Sequence, residues 1–183
     1  MLSSYLNILL GDLPKESMQA LDLDGKKIVK LTTTDKEKIE QCTSLKILQM
    51  NNCNLTSLDN LPNIPTLTKI QLSDNYLKGA ELSKLTIYPH LQKIEICNNQ
   101  IVELKDFAVL KDLKELVYLD IQPNKAAEDP KYRQKLFEMI PHLKAIDSYS
   151  KTGESVDEEE EEEEFDEEEE EEEGGSFLAE DEE

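Results

Sequence analysis

The sequence predicts an α/β solenoid, one short strand per turn, followed by an acidic tail. Three observations predict it. An apolar motif recurs at nearly constant spacing. Apolar segments with helical spacing flank the repeats and could close both ends. The charge of the chain splits sharply in two: all 20 Lys and Arg precede Gly153, as do 20 of the 41 Asp and Glu, while the 21 acids from Glu154 onward have no base among them. The net charge of −21 therefore belongs to the tail, and the body has the composition of an ordinary folded domain.

The motif is L-x-x-L-x-L-x-x-N/C-x-L. LKILQMNNCNL runs from Leu45, LTKIQLSDNYL from Leu67, LQKIEICNNQI from Leu91 and LVYLDIQPNKA from Leu116. A degenerate copy, MQALDLDGKKI, starts at Met18, and a truncated strand, LKAID, starts at Leu143. This makes a right-handed leucine-rich-repeat solenoid of about five repeats. The central residues of each motif should form a strand of a parallel sheet. Its apolar residues point to the core and the alternating ones to the concave surface. Asn75, Asn99 and Asn124 take the ninth position, where an amide can satisfy backbone groups left unpaired by a tight bend, and Cys53 replaces it once.

An open solenoid end exposes core, so both ends need caps. Ser3 to Leu10 reads as an amphipathic helix, with Pro14 opening a second short segment. At the other end, DPKYRQKLFEMIPHL places Tyr132, Leu136, Phe137 and Ile140 at helical spacing, and Pro141 stops the helix. The expected organisation is an N-terminal cap over 1–17, repeats over 18–126, a C-terminal cap over 127–150 and a tail over 151–183.

No catalytic constellation emerges. His90 and His142 each lie in Pro-His-Leu just before a repeat, equivalent phases that mark them as turn residues. Cys97, expected on the concave face, has no His or base beside it in sequence to activate its thiol. Three cysteines without ligand spacing point to free thiols in a reducing compartment. There is no phosphate-cradling glycine loop, and a glutamate run without turns is no coordination cage. No enzyme and no cofactor are expected. The N-terminus lacks a basic region and a cleavage site, and no run approaches the ~20 apolar residues of a membrane span.

Two binding surfaces are expected instead. From Asp157 to Glu173, sixteen of seventeen residues are acidic, a run expected to be disordered in isolation. Asp157, Glu158, Glu164, Asp166 and Glu167 would meet a basic protein, and Phe165, the sole interruption, would anchor it. Phe177 offers a second anchor beyond Gly174-Gly175. Ser155, in S-x-x-E, fits an acid-directed kinase. On the concave sheet, the fifth positions form a column of Asp22, Gln49, Gln71, Glu95, Asp120 and Asp147, with Tyr118 at a third position beside it. That column reads as a docking surface for a basic partner or as a solvated polar face. Direct nucleic-acid binding is not expected, because the tail repels phosphates.

Leu72-Ser73-Asp74-Asn75, KDLKELVYLDI, and Tyr132-Arg133 followed by Phe137, Pro141, Leu143 and Ile146-Asp147 resemble the acidic leucine-rich nuclear phosphoprotein 32 family. The resemblance covers the repeat body nearly end to end, and the acidic tail follows in the right place. It implies a non-enzymatic, mainly nuclear regulator that binds histones, as a chaperone or a block to their acetylation; a monomer is expected. Inhibition of a Ser/Thr phosphatase of the 2A type is the alternative, and a plain repeat adaptor a third reading. Two departures stand out. No Lys/Arg cluster resembling a nuclear-localisation signal follows the tail, which leaves room for cytoplasmic shuttling. Ser148 replaces the glycine that family members often carry in L-D-G-Y.

Overall fold

The structure is a computed structural model that describes residues 2–11 and 15–156. Within them the strands form a single sheet in sequence order. β1 is Ala20–Asp22, β2 Ile47–Gln49, β3 Lys69–Gln71, β4 Lys93–Glu95, β5 Tyr118–Asp120 and β6 Ala145–Ile146, all parallel. β7, Tyr149–Ser150, folds back antiparallel on β6. β1 to β5 occupy the third to fifth motif positions, and register pairs like with like: Leu21↔Leu48, Leu48↔Ile70, Ile70↔Ile94 and Ile94↔Leu119. These middle residues are buried, because a motif of period two turns every second side chain inward.

Each strand ends where the eighth motif position bends the backbone. Gly25, Asn52, Asp74 and Asn98 there have φ of 68°, 53°, 59° and 49°. Glycine, Asn and Asp tolerate this left-handed region, which explains their choice. In the fifth repeat Pro123 stands there, and its ring bars positive φ.

The convex side varies with repeat length. α2, Thr33–Ile39, follows the first strand and begins with a capping box, in which Asp35 N donates to Thr32 Oγ1 (3.2 Å) and Thr32 N donates to Asp35 Oδ2 (3.0 Å). 3-10 helices cover Gly79–Ile87 and Leu104–Asp112. The second repeat, which is shortest and carries Pro62 and Pro65, has no helix and buries Leu58, Leu61 and Ile64 from irregular chain.

Both expected caps are present. α1, Leu2–Leu9, buries Leu6 and is tied to α2 by Lys38 Nζ, which donates to Ser3 O (3.0 Å) and Oγ (2.6 Å). The segment opened by Pro14 falls partly outside the described residues, and a short 3-10 turn covers Lys15–Ser17. At the far end α3, Tyr132–Met139, buries Tyr132, Leu136 and Phe137 as core. The chain then runs further than the expected cap boundary at 150. Tyr149 pairs with Ser155, Ser150 N donates to Glu154 O (2.8 Å) and Val156 N to Ser148 O (3.0 Å). Residues 151–156 therefore belong to this terminal hairpin rather than to the tail.

The β6–β7 turn is the place where the Ser148 departure matters. Asp147 and Ser148 have φ of 49° and 59°, the paired positive values of a two-residue hairpin that favours glycine at its second position. Ser148→Gly is expected to stabilise the fold by about 0.5 kcal/mol, the relief of φ strain being partly offset by a freer unfolded chain. A urea midpoint that does not rise would refute it.

Candidate protein-binding surfaces

The concave column is a hydrogen-bonded relay at its centre. Gln49 Nε2 donates to Gln71 Oε1 (2.6 Å), and Gln71 Nε2 donates to Glu95 Oε2 (2.8 Å). The other oxygen of Glu95 lies 3.6 Å from Lys69 Nζ and 3.5 Å from Lys93 Nζ. Asp22 is exposed at one end of the column and Asp120 is half-buried near the other. Tyr118, expected on this face, is almost wholly covered, at 4% exposure. Lysines from the third positions thus sit beside the acids, so the face is two-toned, where the fifth positions read alone gave an acidic strip.

Asp147, the last member of the expected column, stands apart from the strands. It lies in the hairpin turn and its carboxylate is taken up by the fold. Oδ1 accepts from Ile121 N (2.7 Å) and Gln122 N (2.9 Å), and Oδ2 accepts from Tyr132 Oη (2.6 Å). Burial, and then this carboxylate, push the Tyr132 phenol up, so it stays a donor across the physiological range.

Two ladders hold the concave strands in register. The ninth-position amides do what the motif implied. Asn75 Oδ1 accepts from Cys53 N (3.0 Å) and Leu55 N (2.9 Å), and its Nδ2 donates to Met50 O, Leu72 O and Ser73 O. Asn99 and Asn124 repeat the arrangement one and two turns on. Cys53 Sγ donates to Leu23 O (3.1 Å) and Asn51 O (3.4 Å) but is only a weak acceptor beside an amide oxygen. The second ladder runs through the seventh positions, which the motif leaves as x. Asp24 Oδ1 accepts from Asn51 N (2.6 Å), Asn51 Oδ1 from Ser73 N (2.8 Å) and Ser73 Oγ from Cys97 N (3.1 Å). Its only signal in sequence is a short polar side chain two places after each of the first three strands, Asp24, Asn51 and Ser73.

The histidines are turn residues. His90 Nδ1 meets Glu115 Oε1 at 3.0 Å, and His142 Nε2 meets Leu113 O at 2.8 Å, each a link between repeats. Burial pushes the Cys53 and Cys97 thiols up to about 11, for Cys97 against the lowering effect of Ser73, so neither is a nucleophile at neutral pH. Among the described residues, no helix is long and apolar enough to cross a membrane. Ser155 is exposed on the terminal hairpin. Asp157, Glu158, Glu164, Phe165, Asp166, Glu167 and Phe177 lie outside the described residues.

Comparisons with known proteins place this geometry in context. A sequence profile described as leucine-rich repeat matches residues 14–173. An acidic leucine-rich nuclear phosphoprotein 32-related protein of Plasmodium falciparum is 38% identical over 143 residues, 77% of this chain and 51% of that protein. Family member A of Drosophila melanogaster is 36% identical over 117 residues, covering 64% and 44% of the two chains. A protein of Tetrahymena thermophila that is named as a histone is 32% identical over 143 residues, covering 78% and 37%. The chain thus spans about half, or less, of the length of these relatives. Among solved structures, a chain of the Drosophila melanogaster SNF/U2A' complex superimposes with a TM-score of 0.60 at 22% identity, covering 80% and 79%, which shows the fold alone. A Leptospira interrogans leucine-rich-repeat protein superimposes with a TM-score of 0.55 at 25% identity, covering 74% and 34%.

Proposed function

Because this chain belongs to the leucine-rich-repeat family, we propose that it is a non-enzymatic regulator that binds basic proteins, core histones first, through its acidic run. The observation that carries this reading is the separation of charge. The folded body is nearly neutral, and the twenty acids from Asp157 to Glu183 follow it without one base. A single exposed carboxylate–ammonium pair contributes only ~0.2–1 kcal/mol, so affinity must come from many pairs and must fall with salt. Such binding suits a chaperone, which holds a client and releases it. The relatives named nuclear phosphoproteins, and the one named as a histone, support nuclear residence and a chromatin role, and cytoplasmic shuttling is part of the same reading. Asp22 and Asp120 on the concave face supply a second contact for a basic segment, and phosphorylation of Ser155 would add negative charge where body meets tail.

The test is a pull-down from nuclear extract with the full chain and with residues 1–156. Core histones held by the full chain, and weakened at least about tenfold by truncation at moderate salt, are the expected result. Phosphatase subunits captured instead would favour the inhibitor reading, and partners unaffected by truncation the adaptor reading. Phe165→Ala, which leaves the charge unchanged, should weaken histone binding several-fold in titration calorimetry. Equal affinity would remove Phe165 as an anchor.

A further inference from the structure

Three lysines from successive repeats line one groove at the start of the concave strands, together with Gln19, Thr68 and Tyr118. Lys46 comes from the second motif position, and Lys69 and Lys93 from the third, directly opposite each other in the parallel register. Neighbouring strands lie ~4.8 Å apart, so like charges in adjacent rows raise the local potential unless anions gather between them. Glu95 is one such anion and touches both Lys69 and Lys93. Each ammonium has three N–H donors, so an in-sheet partner and an incoming carboxylate are not exclusive.

We propose that this lysine-lined groove docks the chain's own acidic run, Asp157–Glu173. Charge complementarity supports it: Lys46 and Lys69, half-buried in adjacent rows, and the nearly covered Lys93, 9% exposed, meet a run with sixteen carboxylates in seventeen residues. Position supports it too. The run begins directly after Val156, whose N–H bonds Ser148 in the β6–β7 turn of the same sheet. From β7 back to β2 is five strand spacings, ~24 Å. Seventeen residues can span more than twice that, at ~3.3 Å each. The tether makes the encounter intramolecular, so ion pairs too weak to hold a free peptide can hold this one. The consequence, which rests on the tail being the client-binding element, is a salt-sensitive mask. A basic client must displace the lysines, so weakly basic proteins are excluded and strongly basic ones admitted.

Carbodiimide crosslinking of the full-length protein, read by mass spectrometry, tests the docking without any client. Lys46 and Lys69 should link to the run within one chain at low salt, and lose those links at high salt. The Lys69–Glu95 link reports that the groove stays folded. Lys111 and Lys114 are exposed on a repeat nearer the tail, so tethering alone favours them. Links to Lys46 should exceed links to those two at least about fivefold if docking outweighs proximity. An even spread over all lysines, or links only between isotopically labelled and unlabelled chains, would overturn the proposal. In a variant with Lys46→Gln, Lys69→Gln and Lys93→Gln, checked for an unchanged melting transition, core histones should bind several-fold tighter than to the parent. Equal affinity would overturn the masking. Histones ignored by both proteins while the crosslinks persist would uphold the docking and sink the client reading instead.

Discussion

Replacing Asn75 by alanine is expected to cost about 3–5 kcal/mol of folding stability, because five hydrogen bonds end on one buried amide. The side chain is 4% exposed, so water does not replace what is lost. Two amide N–H groups, of Cys53 and Leu55, would be left without their acceptor inside the solenoid, and Met50 O would lose its donor, while Leu72 O keeps Asn99 Nδ2 and Ser73 O keeps Asn52 N. The site lies between the second and third repeats, so the damage falls on an interface that every repeat to either side depends on. Asn75→Cys separates the two halves of the effect. Cys53 shows that a thiol can donate from this position, and a thiol supplies no comparable acceptor. The cysteine variant should lie between the parent and the alanine variant in urea denaturation. A loss below about 1 kcal/mol for Asn75→Ala would mean that the ladder is not what holds these turns.

Asp147→Ala is expected to destabilise the protein by about 3 kcal/mol and to do so from one end. The carboxylate ties α3 to the end of two strands that already pair, β5 and β6. It receives two backbone amides from the turn after β5 and the phenol of Tyr132 on α3, and it sits in the β6–β7 turn. Tyr132→Phe removes one of those bonds and should cost about 1 kcal/mol. Solenoid repeats touch only their neighbours, so the opening should be local. Amide exchange should quicken at Ile140, Ala145 and Ser150 while Leu10 and Lys36, at the other end, keep their protection. Equal acceleration at both ends would show that the body unfolds as one unit.

The body was legible because its motif repeats, and repetition turns a weak pattern into a phase. Once the phase is known, Leu21, Leu48, Ile70, Ile94 and Leu119 must face inward, and they do. The unread parts have a common cause: they depend on neighbours in space that are not neighbours in the motif. Asp147 holds the same phase as Asp120, yet the chain reverses immediately after β6, and a reversal is invisible to a periodic count. Lys69 and Lys93 flank Glu95 because strands stack sideways, so charges from different columns add. The capping box of α2 did have a local signature, Thr32 three residues before Asp35, masked by the run of threonines around it. The left-handed eighth position was also written in residue type, as Gly25, Asn52, Asp74 and Asn98, but small polar residues are common in any turn.

The reversal at β7 has a bearing on assembly. A stack of parallel strands carries no instruction to stop, and an uncovered final strand would be a template on which the first strand of another copy could continue the sheet into a filament. Here the last strand runs the wrong way for that extension, and residues 154–156 occupy its outer edge. The acidic run follows that same edge in sequence, so the acidic run of a second copy would be repelled there. The hairpin that finishes the sheet therefore also closes that edge to strand addition.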